Sequence, residues 1–214
     1  MPILLLLLLA TAAPRDFTPY LMSDRAAEIA LARSSAARDI SGAASVLVLT
    51  RKGFVEAEKG SNGFTCVVLR SFQGSIGVPD FWKPTTRAPN CFNPPAAQTV
   101  LPPLLKRAEW VLAGVSTDEI AARTKAAYAS HEFALPAPGA MAYMMSPHQH
   151  LLDDAPHHWM PHLMFYYDRT VTAAAMGAGA EEAAIIAGTA PDSDSPVFVL
   201  LIPVRRWSDG QPAL

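Results

Sequence analysis

The chain has 214 residues, of which 50% are hydrophobic and 17% charged, with a formal net charge of -2. That length and balance suit one domain with a substantial core, and the charge excludes a broad basic field for nucleic acid. Apolar runs beyond the first few residues never reach the ~20 positions that a membrane-spanning helix needs.

Ile3 to Leu9 form an apolar run followed by Ala10-Thr11-Ala12, the small-x-small pattern that signal peptidase cuts. No Lys or Arg precedes the run. Residues 1–12 are expected to be a signal peptide, 13–22 an extended lead-in and 23–214 a single α+β domain. The exported protein is then periplasmic or secreted. Its only cysteines are Cys66 and Cys91, and in an oxidising compartment such a pair reads first as a structural disulfide.

Ser23 offers an N-cap with Asp24 in the first turn, and Ala26, Ile29, Ala30 and Ala37 give a helical stripe to about Arg38. Three strands are expected next: 44–50, 54–59 and 64–71, with Cys66 in the third. Arg51-Lys52-Gly53 is a turn and Asn62-Gly63 carries the hairpin signal, so the three strands read as a meander. Seven of the nineteen prolines fall in 79–103, a density expected to forbid helix and central strand. The disulfide would then pin a long irregular loop onto the third strand.

A helix is expected to open near Pro102 or Pro103, with Leu101, Leu104, Leu105, Ala108, Val111 and Leu112 on one face and Gly114 at its end. Ser116 to Glu119 is a capping box for a second helix that runs toward His131, giving an antiparallel pair on the sheet. Strands return at 141–145, 162–167 and 197–204, the last continuously apolar as in a central strand. A short helix over 181–187 and a polar loop at 192–195 complete the pattern. The expected fold is α+β with a mostly antiparallel sheet and an N-terminal helix.

Five of the six histidines and five of the eight methionines lie in 141–164. Imidazole suits copper or zinc and thioether sulfur selects Cu(I), so His148, His150, His157, His158 and His162 are candidate metal ligands. Prolines at 147, 156 and 161 break this stretch into loop, where solvated histidines are the ordinary outcome. For catalysis, His162 is the histidine to choose: it opens a strand, and Asp153 or Asp154 could pair with it in general-base chemistry. A histidine bonded to a backbone carbonyl at a strand end is the competing structural role.

Other motifs fall short. Gln73-Gly74-Ser75-Ile76-Gly77 lacks the first glycine of a nucleophile elbow, and His131-Glu132 has no second histidine at metalloprotease spacing. Arg205-Arg206-Trp207 reads as a solvated strand end rather than an anion grip.

The segments Gly60 to Val68, Pro138 to Ser146 and Pro161 to Tyr166 resemble a group of uncharacterised exported bacterial proteins with no established activity. The resemblance implies export from a bacterium and transfers no catalytic residue. The sequence therefore suggests an exported binding protein for a small ligand or a transition metal. One alternative is a hydrolase using His162 with Asp153 or Asp154. Another is an envelope interaction module that contacts its partner through loop 79–90.

Overall fold

A computed structural model describes residues 15–151, 159–178, 185–187 and 195–213. The signal segment 1–12 lies outside the described residues, as do Asp153, Asp154, His157, His158, residues 181–184 and residues 192–194. Within the described residues the fold is α+β, built on one eight-stranded sheet that is mostly antiparallel.

The first helix, α1 (Arg25–Arg33), is capped by Asp24 rather than Ser23: the Asp24 carboxylate accepts from the backbone N–H of Ala26 at 2.8 Å and of Ala27 at 3.2 Å. It stops at Arg33 instead of reaching Arg38. Ser34 and Ser35 turn their hydroxyls onto the carbonyls of Leu31 and Ala32, which competes with a continuing helix. A separate turn, α2 (Arg38–Ser41), follows. The buried face also differs from the expected stripe. Glu28 and Ala32 point inward while Ala26, Ala30 and Ala37 are exposed. Alanine is too weakly apolar to orient a helix against a buried ion pair. The lead-in is not simply extended either, because Thr18–Tyr20 form a 3-10 turn that buries Tyr20.

Strands β1 (Ser45–Thr50) and β2 (Gly53–Glu58) form the expected hairpin. Strand β3 (Thr65–Leu69) does not continue a meander. It runs parallel to β1 on the side away from β2, pairing Ser45 with Thr65. The chain reaches that position by passing the N-terminal end of β1. Gly60 N–H donates to Ser45 Oγ at 2.9 Å, and Ser61 N–H donates to the Ala43 carbonyl at 2.8 Å. Asn62 does not shape a two-residue hairpin. Its amide clamps the crossing, with Nδ2 donating to the Ile40 carbonyl and Oδ1 accepting from Phe64 N–H.

The proline-rich stretch contains both a central strand and a helix, against expectation. Strand β4 (Ala88–Phe92) lies between β3 and β5 (Met141–Met144). Pro89 is tolerated because β5 pairs only with Cys91 and Phe92, so no ladder bond to β5 is lost at Pro89. Asn93 caps α3 (Pro94–Thr99), whose two prolines occupy first-turn positions where no N–H is required. Then α4 (Leu101–Leu112) and α5 (Thr117–Ala129) follow as the sequence suggests, the second capped by Ser116 Oγ.

Strands β6 (His162–Asp168), β7 (Ile186–Ala187) and β8 (Val197–Pro203) complete the order β2-β1-β3-β4-β5-β6-β8-β7. Ile186 and Ala187, expected in a helix, are therefore extended. The two faces are covered differently. Val46, Cys66, Val68 and Cys91 pack under Ala32 and Ala36 from the α1 side. Val67, Phe92, Ala142 and Tyr166 pack under Ala96, Val100 and Leu101 from α3 and α4. A third cluster (Tyr20, Leu49, Phe72, Phe81, Ala108, Val111 and Ile120) ties the N-terminal turn to the helix pair.

Candidate functional site

Where β3 ends, the chain bends into a 3-10 turn at Ser71–Gln73 and a second at Pro79–Trp82. These turns and the start of β4 enclose a cleft of about 290 Å³. Its apolar walls are Leu69, Val78, Ala88 and Leu151, and Arg70, Ser71, Gln73, Asp80 and Thr86 contribute the polar lining.

The cleft floor is fixed by a buried ion pair. Arg70 Nη2 donates to Glu28 Oε1 at 2.7 Å, with side-chain exposures of 0% and 2%. The same guanidinium donates through Nε to the Tyr20 carbonyl at 2.7 Å and through Nη1 to the Val68 carbonyl. Glu28 Oε1 also accepts from Leu49 N–H at 3.1 Å. Burial pulls the Arg70 pKa below the usual guanidinium value, outweighing the opposing pull of Glu28. Nearby, Arg87 donates to the carbonyls of Pro84, Thr86 and Pro19. Burial, followed by the neighbouring positive charge of Arg70, pushes its pKa down to about 10.

Gln73 and Ser71 are also turned into the protein. Gln73 Oε1 accepts from Arg70 N–H, its Nε2 donates to the Leu104 carbonyl, and Ser71 Oγ donates to the Phe81 carbonyl at 2.9 Å. Asp80 differs: its side chain is 58% exposed and stands 4.0 Å from Lys83 Nζ. The cleft thus offers apolar walls, the Thr86 side chain and one rim carboxylate paired with Lys83, and the Arg70 guanidinium is committed to protein oxygens.

The disulfide expected between Cys66 and Cys91 is present, and both residues are fully buried. They sit directly opposite each other in β3 and β4. The bond therefore staples two central strands, not an irregular loop to a strand.

The 141–164 segment splits among different environments. His148 is exposed, and its backbone N–H donates to Ser146 Oγ at 3.1 Å. The backbone of His150 pairs in both directions with Arg87 at 2.8 Å, which carries the chain to Leu151 at the cleft. His162 is 2% exposed at the start of β6. Its Nδ1 lies 2.9 Å from the Met160 carbonyl, and its ring meets Trp159 edge-on at 5.1 Å. Burial lowers its pKa, against the smaller opposing effect of that carbonyl. Among the described residues, no three His, Cys, Asp or Glu side chains converge in a metal-holding group. His157 and His158, and the Asp153 or Asp154 partner proposed for His162, lie outside the described residues.

Sequence reasoning missed Glu28, Arg70, Asn90 and Gln149. A glutamate in the first turn of an alanine-rich helix looks like a dipole partner, and an arginine after a strand looks like a solvated end. Only their convergence reveals the pair. Asn90 and Gln149 each donate through the amide nitrogen, to the carbonyls of Ala88 and Trp159. Their buried amide oxygens have no hydrogen-bond partner among the described residues.

No family model matches the chain, and comparison with curated proteins and with solved structures gives no match.

Proposed function

We propose that this chain is an exported binding protein whose cleft between the end of β3 and the start of β4 takes a small, mainly apolar, uncharged molecule. The observation that carries this reading is the satisfied floor of the cleft. Arg70, Ser71 and Gln73 are spent on internal bonds, so an anion would gain no partner from them and would leave water uncompensated. An apolar body gains from Leu69, Val78, Ala88 and Leu151. Export is supported by the apolar leader and by the resemblance to exported bacterial proteins. The disulfide is compatible with an oxidising compartment, periplasmic or extracellular.

The test is fluorescence titration with the uncharged probe N-phenyl-1-naphthylamine, compared between the native chain and Val78→Arg. Val78 is 44% exposed, so the larger side chain can be accommodated while it obstructs the cleft and adds charge. The native protein binds the probe, and the variant binds it at least tenfold more weakly. Equal binding by both proteins, or none by the native protein, overturns the reading.

A further inference from the structure

Of the soft donors in 141–164, two are brought together by strand register. Met144 and His162 pair directly across β5 and β6. Directly opposed residues share one sheet face, with Cβ atoms roughly 5 Å apart. Both are buried, at 5% and 2% exposure. The imidazole is also oriented. With Nδ1 donating to the Met160 carbonyl, the hydrogen resides on Nδ1 and the lone pair on Nε2. Such a carbonyl partner is what fixes the tautomer of a metal-ligating histidine.

The surroundings select the metal. No three His, Cys, Asp or Glu side chains converge among the described residues, so the donor set for a hard or borderline divalent ion is missing there. The thioether is a soft donor that selects Cu(I), imidazole also suits copper, and Cu(I) accepts low coordination. Met164 lies on the same face as His162, but its sulfur accepts a hydrogen bond from Tyr166 Oη at 3.6 Å. Trp159, 37% exposed, sets its ring at 80° to the imidazole and links the buried pair to the surface.

We propose that Met144 Sδ and His162 Nε2 form a Cu(I) site beside the indole of Trp159. Binding involves no redox step, since the ion arrives and leaves as Cu(I). The site shares no residue with the cleft, so either reading can fail without the other.

The test is anaerobic titration of the purified chain with Cu(I) against the chromogenic chelator bicinchoninate. One equivalent binds, and Met144→Leu and His162→Gln each weaken affinity by at least tenfold. Leucine conserves volume at position 144, so an unchanged thermal midpoint of the metal-free variant shows that its fold is intact. The double variant His157→Ala/His158→Ala keeps the native affinity within threefold. Cu(I) quenches part of the indole emission, and Trp159→Phe removes that part. Native affinity in Met144→Leu, a large loss in His157→Ala/His158→Ala, or no Cu(I) binding by the native chain would each overturn the site.

Discussion

Replacing Glu28 by alanine removes the counter-charge from a guanidinium that has no access to water. Both side chains are essentially buried, and one oxygen, Glu28 Oε1, serves Arg70 and the backbone N–H of Leu49 together. Removing one member of such a pair costs roughly 3–5 kcal/mol, because the remaining charge stays buried. The orphaned Leu49 N–H adds about 1 kcal/mol or more, although the two losses overlap. We expect Glu28→Ala to lose about 4–5 kcal/mol, which for a domain of this size lowers the thermal midpoint by about 10–15 °C. Glu28→Gln keeps an acceptor for both donors but still leaves the Arg70 charge buried without a counter-charge, so its expected cost is about 3 kcal/mol, below that of Glu28→Ala. Urea unfolding followed by far-ultraviolet circular dichroism, with the disulfide intact, measures both. If Glu28→Ala stays within about 1 kcal/mol of the native protein, the pair behaves as a solvated one and the argument for a rigid cleft floor is wrong.

A Cβ placed at Gly60 would fall inside the backbone of Ala44 and Ser45, where the chain crosses the end of β1. Gly60→Ala is therefore expected to cost at least about 3 kcal/mol in urea unfolding, and a near-neutral result would contradict the crossing. The disulfide closes a separation of 25 residues, which corresponds to about 3.5 kcal/mol from the restricted unfolded chain. The double variant Cys66→Ala/Cys91→Ala should show that loss by the same measurement. For His162, burial holds the folded-state pKa below the ordinary value of 6.5. The unfolded chain then takes up the proton first as pH falls, so stability declines from pH 6.5 downward and levels off below the folded-state pKa. His162→Gln should flatten that part of the stability–pH curve, and an unchanged slope would show that the ring titrates as if exposed.

Strand and helix positions were legible wherever local chemistry decides them. The apolar runs at 45–50, 141–144 and 197–203, the Ser116 cap and the first-turn prolines of α4 each declare themselves within a few residues. The cysteine pair was legible too, since the sequence holds only two thiols and their pairing leaves no alternative partner. Proline density misled because it marks where a backbone N–H is missing without saying whether a partner strand needs it. Pro89 sits beside β4 residues that pair with β5 but lies outside that pairing. The pattern at 141–164 conveyed donor chemistry but not convergence, and β5–β6 register alone sets Met144 against His162.

The sequence by itself determined the α+β class, most element positions and the disulfide, because periodicity, caps and covalent chemistry act over short spans of chain. Tertiary structure decided the parallel placement of β3, the inward face of α1 and the cleft. Each depends on residues far apart in sequence meeting in space. Glu28 faces inward because Arg70, 42 residues away, is buried there and its charge has no cheaper partner.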